Sequence, residues 1–221
     1  MILEIDNIEL SYGEKKILYG VYLKGENGKV TGILGRNGSG KTSLLRIIFG
    51  DLPSKYRTIR IDGKNQNKNL FKKGKIAYLP QHRLLPKNIK LSIAFSLFSL
   101  NWNEFTNIFE SFNIYRNTMS GNLSSGELRV VETYLILCSD KDIILLDEPF
   151  SFIAPIYIEK FKSLIETRKK RSIILITDHF YREIMSVSDS IYLLKNGYSK
   201  LISSEKELMN EGYISFNPQQ K

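Results

Sequence analysis

Eight residues, Gly35-Arg36-Asn37-Gly38-Ser39-Gly40-Lys41-Thr42, combine glycines, a lysine and a hydroxyl in the spacing G-x-x-x-x-G-K-[ST]. Glycines at 35, 38 and 40 let the backbone curl into a concave loop whose N–H groups converge on phosphate oxygens. A helix starting there adds about half a positive charge at its N-terminus. Lys41 supplies a point charge for the β and γ phosphates, and the Thr42 hydroxyl is placed to ligate Mg2+. A second group, Ile143-Ile144-Leu145-Leu146-Asp147-Glu148-Pro149, delivers two adjacent carboxylates at the end of an apolar run. Asp147 suits a Mg2+ contact through water, and Glu148 suits a general base polarising the water that attacks the γ phosphate. Alone, such an acidic pair is ordinarily a solvated strand end; the phosphate loop in the same chain gives it its chemistry.

These residues need particular elements to hold them. A strand over Lys29 to Leu34 leads into the loop, and the apolar stripe Leu44, Leu45, Ile48 and Phe49 predicts a helix behind it, ended by Gly50 and Pro53. Strand-like runs from Leu3 to Leu10 and Lys16 to Leu23, with turn signals at Tyr12-Gly13, Gly25 and Asn27-Gly28, predict a β-rich first lobe. Short strands follow near Thr58 to Ile61 and Lys75 to Leu79. The segment from about Ile89 to Phe112 reads as helical and predicts a second, helical lobe. Leu128, Val131, Leu135 and Cys138 recur as on an amphipathic helix over Ser124 to Cys138. A buried strand from Ile143, a helix over Ile156 to Arg168, a buried strand over Ile173 to Thr177, a short helix from Phe180 and a strand pair within Ile191 to Ile202 complete the order. Alternating strands and helices favour an α/β fold with a mostly parallel sheet under helices. Nothing repeats, and the polar tail Asn217 to Lys221 is the one low-complexity stretch.

From about Leu3 to Ile202 the chain resembles the nucleotide-binding subunits of ATP-binding cassette (ABC) transporters. The discriminating motif is Leu123-Ser124-Ser125-Gly126-Glu127, similar to the family's L-S-G-G-Q and placed between the phosphate loop and the carboxylate strand. Ser125 and Glu127 depart from that pattern. The Ser124 hydroxyl and the N–H groups opening the next helix form a second anion site. The resemblance implies a P-loop NTPase of the ABC ATPase type, with an antiparallel β lobe and a small helical lobe beside the parallel core. One domain is expected over residues 1–221, its catalytic and β lobes in about 1–86 and 139–221 and its helical lobe in about 87–138.

ATP and Mg2+ are the ligands so implied. Gly35, Arg36, Asn37, Gly38, Ser39, Gly40, Lys41, Thr42 and Ser43 stand at the phosphate-binding positions, and Tyr12 stands where an aromatic ring stacks on adenine. Gln81 matches the glutamine that joins the Mg2+ shell with Thr42 and Asp147, and His179 matches the histidine that contacts the γ phosphate. Ser124, Ser125 and Gly126 would face ATP bound to an opposite subunit. The catalytic set is therefore Glu148, His179 and Lys41. His82 matches no motif and is expected to be exposed. Ser151-Phe152-Ile153-Ala154-Pro155 stands where the family has a stretch resembling S-A-L-D, so Ala154 replaces an aspartate that lies near the dimer interface. A heterodimer with unequal sites is one explanation.

The implied partners are a second ATPase subunit, identical or different, in the ATP-bound state, and transmembrane permease chains. The competing class is a soluble ABC-type ATPase in iron-sulfur cofactor assembly or another non-transport process. Chromosome-maintenance members carry a long coiled coil between the lobes, whereas Gln81 and Leu123 are 42 positions apart with no heptads.

Composition bounds these readings. In 221 residues, 42% hydrophobic and 25% charged, there is apolar material for a sizeable core, which excludes a disordered chain. No apolar run approaches the roughly 18 residues of a membrane-spanning helix. Glu4 and Asp6 interrupt the N-terminus where a secretory signal needs an apolar run. The single Cys138 excludes an intrachain disulfide and suits a reducing cytosol; together with the membrane partners that the resemblance implies, the expected place is the cytoplasmic face of a membrane. The net charge of +9 is concentrated in residues 51–90, where basic residues outnumber Asp51 and Asp62 by the whole of that excess. Such a segment is a solvated lysine-rich face, a surface for anionic lipid or a nucleic-acid contact; the resemblance implies that a short helix of the membrane partner docks beside it, in the groove between the Gln81 segment and the helical lobe, which favours lipid, and no nucleic acid is expected.

Overall fold

In the computed structural model, which describes residues 1–214, the first lobe is a twisted antiparallel sheet. Strand β1 (Ile2–Tyr12) buries Leu3, Ile5, Ile8 and Leu10. The change of phase between Ile5 and Ile8 is a register shift at Asn7, whose φ is 52°; the bulge keeps both halves of the strand facing inward. With β2 (Lys15–Glu26), β4 (Tyr56–Ile61) and β5 (Lys64–Asn65), the sheet order is β2-β1-β4-β5.

The second sheet holds β3 (Val30–Leu34), β6 (Ile76–Leu79), β7 (Ile143–Asp147), β8 (Ile173–Thr177), β9 (Ser190–Lys195) and β10 (Tyr198–Ile202), in the order β10-β9-β3-β8-β7-β6. Every pair is parallel except β9 with β10. The strands β3, β7 and β8 are buried throughout, as central parallel strands covered on both faces must be. Because these neighbours run in one direction, the loops that leave them open at the same end of the sheet. That end carries Gly35, Glu148 and Asp178.

The helices are α1 (Lys41–Phe49), α2 (Leu91–Leu97), α3 (Trp102–Ile108), α4 (Ser125–Leu137), α5 (Pro155–Arg168), α6 (Tyr181–Val187) and α7 (Glu205–Asn210). None among the described residues is long and apolar enough to cross a membrane. The stretch Ile89 to Phe112 is helical as expected but not continuous: α2 and α3 are separate, Ser99 takes a φ of 56°, and the Asn101 side chain caps α3 by accepting from the Asn103 N–H at 2.8 Å. Short polar side chains compete for backbone bonds and so start helices rather than continue them. Nor is α4 amphipathic, because every residue from Leu128 to Leu137 is buried, including Arg129, Glu132 and Thr133.

Side-chain alternation along the parallel strands builds two cores. Ile144, Leu146, Ile174 and Ile176 face α4, α5 and the aromatic residues Phe95, Phe105, Phe109 and Phe112. Ile143, Leu145, Ile173 and Leu175 face α1 and the antiparallel sheet.

Candidate functional site

The loop from Gly35 to Gly40 joins β3 to α1. Gly40 stands before the helix at φ 100°, a region that L side chains avoid, and a Cβ there would meet Leu18 at 2.8 Å. No side chain caps the helix, so its first N–H groups are left for an outside acceptor. Lys41 is buried and folds back over the loop, its Nζ donating to the Gly35 carbonyl at 2.7 Å and the Arg36 carbonyl at 3.4 Å. Burial pushes its ammonium below the ordinary value of 10.5, while Glu148, Asp147 and Asp178 pull it back. The Ser39 hydroxyl is buried without a partner. Arg36 turns aside and donates to the Gly212 carbonyl at 2.7 Å.

At the end of β7 the two carboxylates differ. Asp147 is fully buried, accepting from Thr177 Oγ1 at 2.8 Å and from the Tyr78 hydroxyl at 3.1 Å. Burial first, and then Asp147, raises the Tyr78 phenol, so it stays a donor. Glu148 sits at φ 54° and reaches the cleft, where its Oε2 accepts from Gln81 Nε2 at 3.0 Å and lies 3.5 Å from His179 Nδ1. His179 is half exposed and packs against the Phe180 ring at 4.6 Å.

Tyr12, exposed at the open end of β1, lines a cleft of about 540 Å3 with Asn37, Gly38, Gly40, Lys41, Thr42, Ser43, Gln81 and Glu148. Ser125 lies in a second cleft of about 500 Å3, with His82, exposed as expected, and His179. Gln81 and Glu148 line both clefts. Ser124 opens α4 with a capping box: its N–H donates to Glu127 Oε2 at 2.8 Å and the Glu127 N–H donates to its hydroxyl at 3.3 Å, while the hydroxyl donates to the same Oε2 at 2.7 Å. Tyr115 donates to the other oxygen of Glu127 at 2.7 Å. Together these bonds hold the Glu127 carboxyl below the ordinary 4.5. A Cβ on Gly126 would fall 2.5 Å from the Phe152 carbonyl, so glycine lets the segment after Glu148 lie against the start of α4. Ala154 is exposed and leads directly into α5.

Sequence reasoning missed several groups here. Asp178 is fully buried, accepts from the Phe150 and Phe180 N–H groups, each at 3.1 Å, and is pushed above the ordinary carboxylate range by burial. It ties the loop after β7 to the loop carrying His179. Tyr78, adjoining Asp147, was readable only as a strand residue. Arg129 and Glu132 lie inside α4, where the sequence shows a charge on an otherwise apolar helix and nothing of its partners.

The fold and the loop define a P-loop α/β nucleotide-binding protein. The family model described as ABC transporter matches residues 18–151, more than half of the chain. The lipopolysaccharide export system ATP-binding protein LptB of Haemophilus influenzae is 30% identical, with 96% of this chain and 95% of that protein covered. The zinc import ATP-binding protein ZnuC of Wolbachia sp. subsp. Brugia malayi is also 30% identical, over 88% of this chain and 80% of its own. A solved ATP-binding cassette of an ABC transporter superimposes with a TM-score of 0.77 at 26% identity, covering 97% of this chain and 99% of that one. The chain belongs to the ABC transporter family.

Proposed function

We propose that this chain binds ATP with Mg2+, hydrolyses it, and works as the ATP-binding subunit of a transporter whose membrane-spanning subunits are separate chains. The observation that carries the reading is the meeting of Gln81, Glu148 and His179 at the lip of the cleft that also holds Lys41 and Thr42. The residues fit a triphosphate: the start of α1 is uncapped, the Ser39 hydroxyl is unpartnered, and Lys41 is bonded only to loop carbonyls it can release. They fit Mg2+ as well: Thr42 and Gln81 line one cleft and Asp147 ends the strand that leads to it, and this ion favours a hydroxyl, a carboxylate, waters and phosphates. Thr42, Gln81 and Asp147 would hold it, and it would neutralise charge on the phosphates.

Each residue then has a task. Lys41 turns from the Gly35 carbonyl to the outer phosphates, and Tyr12 stacks on adenine. The Glu148 carboxylate takes a proton from the attacking water while Gln81 and His179 fix its Oε2. The N-terminus of α4, with Ser124 to Gly126, closes on the γ phosphate of ATP held by a second subunit, identical or different. Residues 1–86 and 139–214 form the catalytic and β lobes, the tail 215–221 expected with them lying outside the described residues, and 87–138 form the helical lobe beside which the membrane partner docks. The chain then sits on the cytoplasmic face, with the basic segment 51–90 near anionic lipid. Equal identity to an export and an import protein supports chemistry shared by both and assigns no cargo. Both names are those of transport proteins, which disfavours cofactor assembly.

Equilibrium titration with a fluorescent ATP analogue tests the site. Lys41→Ala should abolish tight binding while the protein still unfolds cooperatively. Unchanged affinity would remove the loop from the account.

A further inference from the structure

Two buried charges on α4 lie outside the chemistry just described. Arg129, 6% exposed, points its guanidinium at backbone oxygens from two separate segments. One terminal nitrogen donates to the Pro80 carbonyl at 2.7 Å; the other donates to the Asp147 carbonyl and, at 3.0 Å, to the Glu148 carbonyl. One turn further along, Glu132 accepts from the Leu84 and Leu85 N–H groups at 2.8 and 2.9 Å. The chain from Pro80 to Leu85 is thus gripped at both ends by one helix, with Gln81 between the grips.

We infer that Arg129 is a positioning residue for the general base: it fixes the backbone of Glu148 against that of Gln81 and ties the pair to the helix that begins with Ser124 to Gly126. The inference rests on the reading of Glu148 as base. Glu148 occupies a left-handed backbone conformation, uncommon for a residue with a side chain, so the direction of its carboxylate depends on what holds its peptide groups. Its N–H is held by the Thr177 carbonyl at 2.8 Å, and its carbonyl by Arg129 at 3.0 Å and, less closely, by the Ser151 N–H at 3.3 Å. A planar, permanently charged fork can satisfy carbonyls on both segments at once; a lysine ammonium on a flexible stem is a poorer match. Glu132, Asp147, Asp178 and Glu148 surround the guanidinium and offset its charge. A displacement of α4 therefore moves the base, so the helix end that meets one ATP governs the carboxylate that acts on another.

The test is a double-mutant cycle on the full chain, with Arg129→Met, Arg129→Lys and Glu148→Gln, reading phosphate release and binding of a fluorescent ATP analogue. Arg129→Met should lower kcat about tenfold or more, since small misplacements of a catalytic group are costly. Nucleotide affinity should stay within about threefold, which separates positioning from uniform binding. Arg129→Lys should recover part of the rate. In the Glu148→Gln background the Met substitution should cost less than about twofold, because residues acting as a unit are not additive. An equal loss in both backgrounds, or a loss confined to KM, overturns the inference. Should Arg129→Met lose its cooperative unfolding transition, Arg129→Lys carries the same cycle. Should Glu148→Gln hydrolyse ATP at the unmodified rate, the base assignment fails instead. Amide exchange at Gln81 and Glu148, whose N–H groups share peptide units with the Pro80 and Asp147 carbonyls that Arg129 holds, then decides the grip: faster exchange in Arg129→Lys supports it, and unchanged exchange sinks it.

Discussion

Glu148 and Asp147 are adjacent in the chain and opposite in circumstance. Asp147 has no exposed surface and both its oxygens accept from Thr177 and Tyr78, whereas Glu148 turns through a left-handed backbone into the cleft. Under the proposed function the first stands on the metal side and the second, which reaches the cleft, on the water side. Glu148→Gln should therefore cut steady-state phosphate release by the ~10²–10⁴-fold typical of a general base. ATP binding should persist, because the amide keeps the volume and loses only the proton acceptor; hydrolysis at the unmodified rate would contradict the role. Lys41, Asp147 and Glu148 were legible in the sequence because their motifs are contiguous and each sits beside the strand or helix that presents it. Arg129 was not, since its partners lie 49, 18 and 19 positions away and only the fold brings their carbonyls together. Asp178 was hidden for the same reason, by a bond to the Phe150 N–H 28 positions away.

The helix α4 has the most at stake, because its N-terminus, its buried Arg129 and its contact with the Phe152 carbonyl all bear on the two clefts. Its start depends on Glu127, whose carboxyl is held below 4.5 by Tyr115 and Ser124. A depressed carboxyl stabilises the folded state above its unfolded pKa, and that contribution is lost as pH falls through the lower folded value. Glu127→Gln should accordingly cost roughly 0.3–1 kcal/mol at neutral pH, the scale of a charge near a helix end. Denaturant unfolding should show the gap between the two proteins closing as the pH falls below 4.5; a gap independent of pH would place the stabilisation elsewhere. The strands and α1 were readable from periodicity, and β3, β7 and β8 from unbroken apolar runs. Helical content between Ile89 and Phe112 was readable too, but the break at Ser99 was not, because the aromatic residues that hold α2 and α3 together act through tertiary packing. The same packing hid the burial of the polar face of α4: a stripe of apolar residues reads as one buried side even when the other side is covered as well.

At the scale of the molecule, two cores on opposite faces of one parallel sheet hold the phosphate loop, the carboxylates and His179 at a single end. The basic segment is separate in kind. Lys72 is exposed, Lys73 bonds to Gln66 at 2.8 Å and Lys75 pairs with Asp142 at 3.5 Å, all near the surface. Neutralising these lysines should weaken association with anionic vesicles, most at low salt, by about 1 kcal/mol for each charge near the membrane. No change would mark a solvated face. The central claim is that one chain supplies half of each ATP site, Lys41 and Glu148 in the first half and Ser124 to Gly126 in the second. Its most direct test is sedimentation of Glu148→Gln protein in ATP and Mg2+, with the subunits that co-purify with it present. The expected result is a doubled species of ATPase subunits that forms only with ATP and is lost in Lys41→Ala; protein that remains single under those conditions would contradict the shared site.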